Sequence, residues 1–434
     1  MCDFVHGEVL ISFPDDPQVR EAFGAWFHDH GDEAEVDLLD TLENRLNQLG
    51  LPASARVSGG RQVWRVGVPH GQELYMADFL RQRYHLSLLA FGLLGGPRAD
   101  GLMLGVSAGP NHLLSLTGSK ASSGPVTLTP FHDQYKAIIG LDSTGGLDRS
   151  VIVGLVDSGA DGLPSEAVVR RVDLVTPEQF GQLGEGGDVS DLVAHGSGVA
   201  SIINDVAPGV KFMIYRVSDG RRRVSEWDVV AALRSIADAD IVNLSLAFGF
   251  DGPDCGKCGR RANSSRSIVF EDALKLLMAG SRPPIVVASS GNAGLSELHY
   301  PARFTDVVAV GSLTSRLEPS TFSNVGTRDH LNRAHPRVWF LPGGDNRQDS
   351  AEAVATVDAT GKPLYGTSFA CAYATGVIAR LLTVADHDEV LERLRSVEGT
   401  PIQNHNPGLH GHGLMSYPML AGPRSPESTE RLVW

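Results

Sequence analysis

The chain has little cysteine, with only Cys2, Cys255, Cys258 and Cys371 among 434 residues. That is too few for a disulfide framework at this size, so the fold has to rest on a hydrophobic core. Positive charge is short as well. Lys and Arg number 37 against 51 Asp and Glu, giving a net charge of −14. General binders of nucleic acid or of an anionic membrane need the opposite balance, so neither partner is expected. No apolar run reaches the roughly 18 residues of a membrane span. The opening Met1-Cys2-Asp3-Phe4-Val5-His6-Gly7-Glu8 has acids where a secretory signal has bases followed by an apolar stretch. These absences set the expectation of a cytoplasmic protein. Cys255-Gly256-Lys257-Cys258 is at most half of a structural zinc set, which takes four ligands. A plain loop or a redox pair are the other readings.

Apolar content of 42% and charged content of 20% are ordinary for a globular protein. The length allows two or three domains, or one large core with an appendage. Residues 1–95 read as a small α/β unit. Strands are expected at Glu8–Phe13, Gln62–Val68 and Ser87–Phe91, with helices at Val36–Leu49 and Gln72–Arg83. Residues 96–129, rich in Gly, Ser and Pro, suit a linker or exposed loop. From about 130 to 420, apolar strands alternate with helices. That rhythm predicts a mostly parallel sheet with helices on both faces, an α/β three-layer sandwich, with 421–434 as a tail.

Four short stretches carry chemistry. Val151–Val156 is an apolar run, as in a strand buried on both faces, and Asp157 closes it before Ser158-Gly159. Ligands of open parallel sheets bind at the carboxyl ends of strands. An Asp there can orient a histidine through Nδ1, or simply turn the chain. His195 opens His195-Gly196-Ser197-Gly198-Val199-Ala200. The glycines permit close packing at a helix start, where an imidazole can serve as a base near neutral pH or cap the helix. Ser368, in Gly366-Thr367-Ser368-Phe369-Ala370, starts a long helix. The helix N-terminus favours negative charge beside the serine oxygen, although a plain N-cap serine has the same look. Ile285-Val286-Val287-Ala288-Ser289-Ser290-Gly291-Asn292 is a buried strand running into a Gly-Asn turn. The Asn292 amide could donate to an oxyanion, with the Ser368 N–H as second donor.

The order Asp, His, Ser differs from those of the chymotrypsins and the α/β-hydrolases. With the motifs around each residue, it resembles the subtilisin-like serine proteases (subtilases) from about 130 to 420. Supporting stretches are Ala207-Pro208-Gly209, Asn243-Leu244-Ser245-Leu246, Tyr300-Pro301-Ala302, Val308-Ala309-Val310-Gly311, Phe322-Ser323-Asn324 and His412-Gly413-Leu414. The sequence departs from the family at Gly198 (usually His), at Cys371-Ala372-Tyr373 (usually Ser-Pro-His) and at Ala247 (usually Gly). None of these removes a reacting group.

The resemblance implies a serine endopeptidase acting through Asp157, His195 and Ser368, with Asn292 in the oxyanion hole. It implies an extended polypeptide substrate flanked by Ser245, Leu246 and Ala247 on one side and Ala288, Ser289, Ser290 and Gly291 on the other. Element order in the N-terminal unit resembles the propeptides of many subtilases, so a segment cut within 110–135 is expected, with a permanent regulatory domain as the other reading. An unsecreted protease also has reason to meet a regulatory protein partner. No cofactor is required. Calcium, which stabilises some members, finds no oxygen-rich loop that would let it be placed. A catalytically silent peptide-binding module on the same fold is the alternative function. A sedolisin-like peptidase would lack the histidine, which His195 argues against. Arg221-Arg222-Arg223 reads as a solvated turn, and the insertion 249–266 would sit on the cleft rim.

Overall fold

A computed structural model describes residues 4–15, 36–51, 61–80, 107–116, 124–141, 145–175, 191–220, 222–236, 238–248, 267–326, 338–346, 352–357 and 362–422, with a few positions between 17 and 25. The insertion 249–266, with Cys255 and Cys258, lies outside them, as does the strand expected at 87–91.

In the N-terminal part, β1 (Phe4–Pro14), β2 (Asp37–Thr41) and β3 (Arg61–Gly67) form antiparallel pairs around a central β1–β3 ladder. Helix α1 (Leu42–Gln48) follows β2 directly. The helix expected from Val36 therefore begins only at Leu42. Thr41 ends the strand in an extended conformation and its side chain accepts from Asn44 N, so the helix has its cap there. Residues 73–80 are helical. Strand β1 shows the two-residue alternation of a sheet buried on both faces. Val9, Ile11 and Phe13 join Trp64, Val66, Met76 and Leu80 in a small core, whereas Leu10 faces the main one.

The next strand corrects the expectation of a linker over 96–129. Ser107–Leu116 forms β4, which pairs antiparallel with β1. The Gly, Ser and Pro content that suggested a loop did not prevent pairing, because partners lie on both sides of this segment. Beyond it come β5 (Val126–Leu128) and helix α2 (Pro130–Ile138).

The larger unit is built on eight strands. Along the chain these are β6 (Ile152–Asp157), β7 (Val168–Asp173), β8 (Lys211–Arg216), β10 (Ile241–Leu244), β12 (Ile285–Ser289), β13 (Val308–Leu313), β14 (Trp339–Pro342) and β17 (Gly413–Leu414). All their pairings are parallel, in the order β17-β14-β13-β12-β10-β6-β8-β7. The short β9 (Arg223–Ser225) and β11 (Leu246–Phe248) belong instead to the sheet of β4. Strands β15 (Ala355–Val357) and β16 (Lys362–Leu364) pair with each other, and β15 also pairs with β5.

The main helices are α3 (His195–Val206), α4 (Glu226–Ser235), α5 (Ile268–Met278), α6 (Thr367–Val384) and α7 (His387–Ser396). Ser225 and Ser267 cap α4 and α5 by accepting from Asp228 N and Phe270 N. By length and composition alone, α6 could cross a membrane, contrary to the expectation that no such run exists. Here it passes through the core, with Thr367 through Leu382 buried. It packs closely on α3, where a Cβ at Gly376 would come within 2.4 Å of Val206 Cγ1.

Candidate active site

Asp157 and His195 meet at the end of β6. Strand β6 ends on Asp157, whose Oδ1 accepts from Ser158 N at 2.7 Å and meets His195 Nδ1 at 2.7 Å. That bond requires α3 to start hard against the end of β6. Gly196 makes this contact, since a Cβ there would lie 1.9 Å from Gly159 O and 3.1 Å from Asp157 Oδ1. Its N–H donates to Ser158 Oγ at 3.0 Å. Asp157, His195 and Ser368 are all fully buried.

With Nδ1 committed to Asp157, His195 Nε2 is on the far side of the ring, buried and without a hydrogen bond. The ring packs on Phe369, with centroids 5.6 Å apart, so it lies beside the residue that follows Ser368. Ser368 Oγ donates to Ser245 O at 3.3 Å rather than to the imidazole. Catalytic hydrogen bonds are often long or turned aside in unliganded sites and tighten only with substrate.

The departure at Gly198 has a steric cause. A Cβ there would lie 2.9 Å from Leu364 Cδ1 and 3.0 Å from Phe369 Cε1, leaving no room for an imidazole. Cys371 is a free, buried thiol pushed up to about 12 by desolvation. Asn243 Nδ2 donates to its Sγ at 3.3 Å and to Thr375 Oγ1 at 2.9 Å.

Asn292 is held by the start of α6. Its Oδ1 accepts from Thr367 N at 3.0 Å and from Thr367 Oγ1 at 2.8 Å. A backbone N–H can only donate, so this bond fixes which end of the amide is oxygen. The NH2 end is thereby left to project from the turn as a donor. The turn itself is shaped by Asn324, whose Oδ1 accepts from Ala293 N and Leu295 N. Gly291 has φ +108°, and a Cβ there would lie 2.5 Å from Asn324 Nδ2.

Sequence reasoning missed a second buried acid. Asp191 accepts from Ser158 Oγ (2.8 Å), Ser197 N (2.8 Å) and Val193 N (3.0 Å). Burial pushes its carboxyl above the usual range, against the hydrogen bonds from Ser197 and Ser158. It ties the Asp157 turn to the His195 helix. Only contact in the fold reveals it, because no spacing in the sequence marks it.

Of the two segments expected to flank an extended peptide, the first lies beside a strand of the chain itself. Leu246, Ala247 and Phe248 pair antiparallel with Leu116, Ser115 and Leu114 of β4. Ala288 and Ser289 remain within the parallel sheet, paired with Ala309 and Val310, and Ser290 N donates to Val310 O. From there the chain passes to Gly291 and Asn292. The strand on the other side of β4 is β9, in which Ser225, Val224 and Arg223 pair with Leu113, Leu114 and Ser115. The crevice beside Ser368 thus holds a segment of the chain itself as the middle strand of three.

The arginine turn also differs from expectation. Arg223 N and Nε donate to the Asp219 carboxylate, each at 2.8 Å. Arg222 has φ +66° and its Nη2 donates to Leu116 O at 3.1 Å. Among the described residues, no three His, Cys, Asp or Glu side chains gather in a way that could hold a metal.

A parallel α/β sheet with an Asp at one strand end, a His and a Ser at two helix starts and an Asn turn beside them defines a serine-hydrolase type of site. The chain belongs to the subtilase family (peptidase S8), whose profile matches residues 148–404. It is similar to the thermophilic serine proteinase of Bacillus sp. (strain AK1), 28% identical over 191 residues, 40% of this chain and 43% of that protein. Similarity to subtilisin NAT of Bacillus subtilis subsp. natto is 26% identity over 237 residues, 51% of this chain and 56% of that protein. The chain thus spans about half the length of these relatives. Among solved structures, an epidermin leader peptide processing serine protease from Staphylococcus aureus shares the fold. Its TM-score is 0.60 at 17% identity, covering 95% of this chain and 98% of that one.

Proposed function

We propose that the protein is a serine endopeptidase whose own segment β4 occupies the cleft until it is cut. The carrying observation is the Asp157–His195 bond at 2.7 Å, which leaves Nε2 unpartnered beside the helix that starts at Thr367 with Ser368 in its first turn. Asp157 orients the imidazole and stabilises its charged form during reaction. Nε2 takes the Ser368 proton as Oγ attacks a peptide carbonyl. The Asn292 NH2 and the Ser368 N–H donate to the oxyanion. The proton then passes to the leaving amine, and water releases the acyl group by the same steps in reverse.

Substrate binding by strand addition is supported by β4, which sits between β9 and β11 as an extended peptide would. Leu116 faces Leu246, the neighbour of Ser245, whose carbonyl lies 3.3 Å from Ser368 Oγ, so a peptide continuing antiparallel in this register would bring its next residue to Ser245. That register points to a cut at the second bond after Leu116, inside the interval 110–135. Leader-peptide processing in the names of relatives such as NisP of Lactococcus lactis supports a polypeptide substrate. A regulatory partner remains part of the proposal only through the need to restrain a free protease.

The test is a fluorophosphonate probe applied to the wild-type chain and to Ser368→Ala. Wild type should be labelled and should shorten to a product whose new N-terminus lies just past Leu116. Ser368→Ala should do neither. A folded wild-type chain that is never labelled and binds peptides without turnover would establish the silent peptide-binding module instead.

A further inference from the structure

We infer that Arg222 is a substrate-positioning residue that grips the carbonyl of the residue preceding the acyl residue. This rests on the protease reading above. Three observations lead to it. First, Arg222 Nη2 donates to Leu116 O at 3.1 Å, a main-chain atom that every peptide in this register would present. Side-chain identity in the substrate would not affect that contact. Second, the register fixes which carbonyl this is. Leu116 lies opposite Leu246, and Ser245, the neighbour of Leu246, accepts from Ser368 Oγ, so a peptide continued antiparallel in this register would set its next residue against Ser245. The gripped peptide unit is therefore the one that joins directly to the acyl residue. Third, the turn is built to deliver the guanidinium. Arg222 sits at φ +66°, a left-handed conformation that a side-chain-bearing residue adopts at a cost, typically when surrounding contacts hold it. Here Arg222 N donates to Asp219 O at 3.0 Å, and Arg223 clamps the Asp219 carboxylate.

The electrostatic setting agrees. Burial lowers the Arg222 guanidinium from its ordinary value, while Asp157 and Asp191 act on it in the opposite sense. The cation thus stands within the field of the catalytic acid and of the acid that braces it. Substrate binding would bring a carbonyl dipole to the cation that Leu116 O meets here. Because the gripped unit abuts the reacting residue, its loss would shift the reacting carbonyl relative to Ser368.

Two substrate types separate this role from a structural one. Acetyl-capped peptide anilides carry the gripped carbonyl; even a single acetylated residue supplies it through the acetyl group. p-Nitrophenyl acetate has no such group. The full chain is first allowed to complete its own processing, and active sites are counted with the fluorophosphonate probe. For Arg222→Ala, kcat/KM on the capped anilides should fall by about 10- to 100-fold, as when one charged hydrogen bond is lost. Turnover of p-nitrophenyl acetate per labelled site should stay within about twofold. Arg222→Lys, which keeps the charge and a donor, should lie between. Equal losses on both substrates, or no loss on the anilides in either variant, would overturn the assignment of Arg222 while leaving the protease reading intact. A wild-type chain that is not labelled and cleaves neither substrate would overturn both.

Discussion

Asp157, His195, Ser368 and Asn292 show how much a single side chain depends on its immediate fixings. Asn292 is held by two bonds from Thr367 to its oxygen, so its NH2 is aimed without any contribution from substrate. Preorganised donors are effective because nothing has to reorient as charge develops. Asn292→Ala should lower kcat by about 100- to 1000-fold, a range known from the equivalent deletion in a subtilisin, with KM little changed. Steady-state kinetics on a peptide anilide checks it; a kcat within threefold of wild type would remove Asn292 from the oxyanion hole. These four candidate residues were legible because each lies in a short motif. Asp191 and Arg222 were not, since an acid after a loop and an arginine in a basic turn look like ordinary surface residues. Their meaning comes from burial and from contacts made in the fold, with Ser158, Ser197 and Val193 for Asp191 and with Leu116 for Arg222.

Elements meet here through glycine. Helix α3 begins against the end of β6 because Gly196 has no Cβ, and it passes Phe369 because Gly198 has none. These two positions should respond differently. Gly196→Ala sets a carbon 1.9 Å from a backbone oxygen, which only a shift of α3 can relieve. Gly198→Ala meets the edges of two side chains at 2.9 and 3.0 Å, which have some freedom to turn. Overpacking typically costs about 1–3 kcal/mol, so Gly196→Ala is expected at or beyond the top of that range and Gly198→Ala near the bottom. Urea unfolding measures both; the reverse ranking would mean that α3 is more mobile than its contacts imply. At this scale the alternating strands and helices of the parallel sheet were readable from apolar runs. Helix α1 was overextended into β2, because Val36, Leu38 and Leu39 also fit a helical period until Thr41 caps the true start.

For the whole molecule, the decisive feature is that the first sheet does not stop at a domain edge. It continues through β4 into β9 and β11, next to Ser245, whose carbonyl accepts from Ser368 Oγ. Buried polar contacts fasten the join. Arg61 pairs with Asp272 at 2.9 Å, and Asn111 accepts from Trp227 N at the start of α4. Glu226, fully buried, accepts from Ser267 Oγ and from His112 N of β4. Burial raises its carboxyl to about 8, against the hydrogen bonds it receives. In the unfolded chain it titrates near 4.5. Between these values the folded protein retains a proton that the unfolded one has lost. Stability therefore falls as pH rises from about 4.5 to about 8 and levels off above. For the uncut Ser368→Ala chain, the loss attributable to this group should be on the order of 5 kcal/mol. Glu226→Gln should flatten the slope. Urea unfolding from pH 5 to 8.5 measures it, and identical slopes in the two chains would exclude Glu226 as the source.

Sequence alone determined the parallel core and the motifs on which the proposed chemistry rests, because apolar runs and short motifs act through neighbours a few residues away. Three motifs in a set order also sufficed to identify the family. Tertiary structure decided what lies in the cleft. The segment read as a linker became the central strand of a three-stranded ladder, since open backbone edges at β9 and β11 accept any extended partner in register. Backbone pairing of this kind depends little on side-chain type, so composition gives no warning of it. The same holds for Arg222, whose role follows from a turn conformation and a carbonyl more than 100 residues away in the chain.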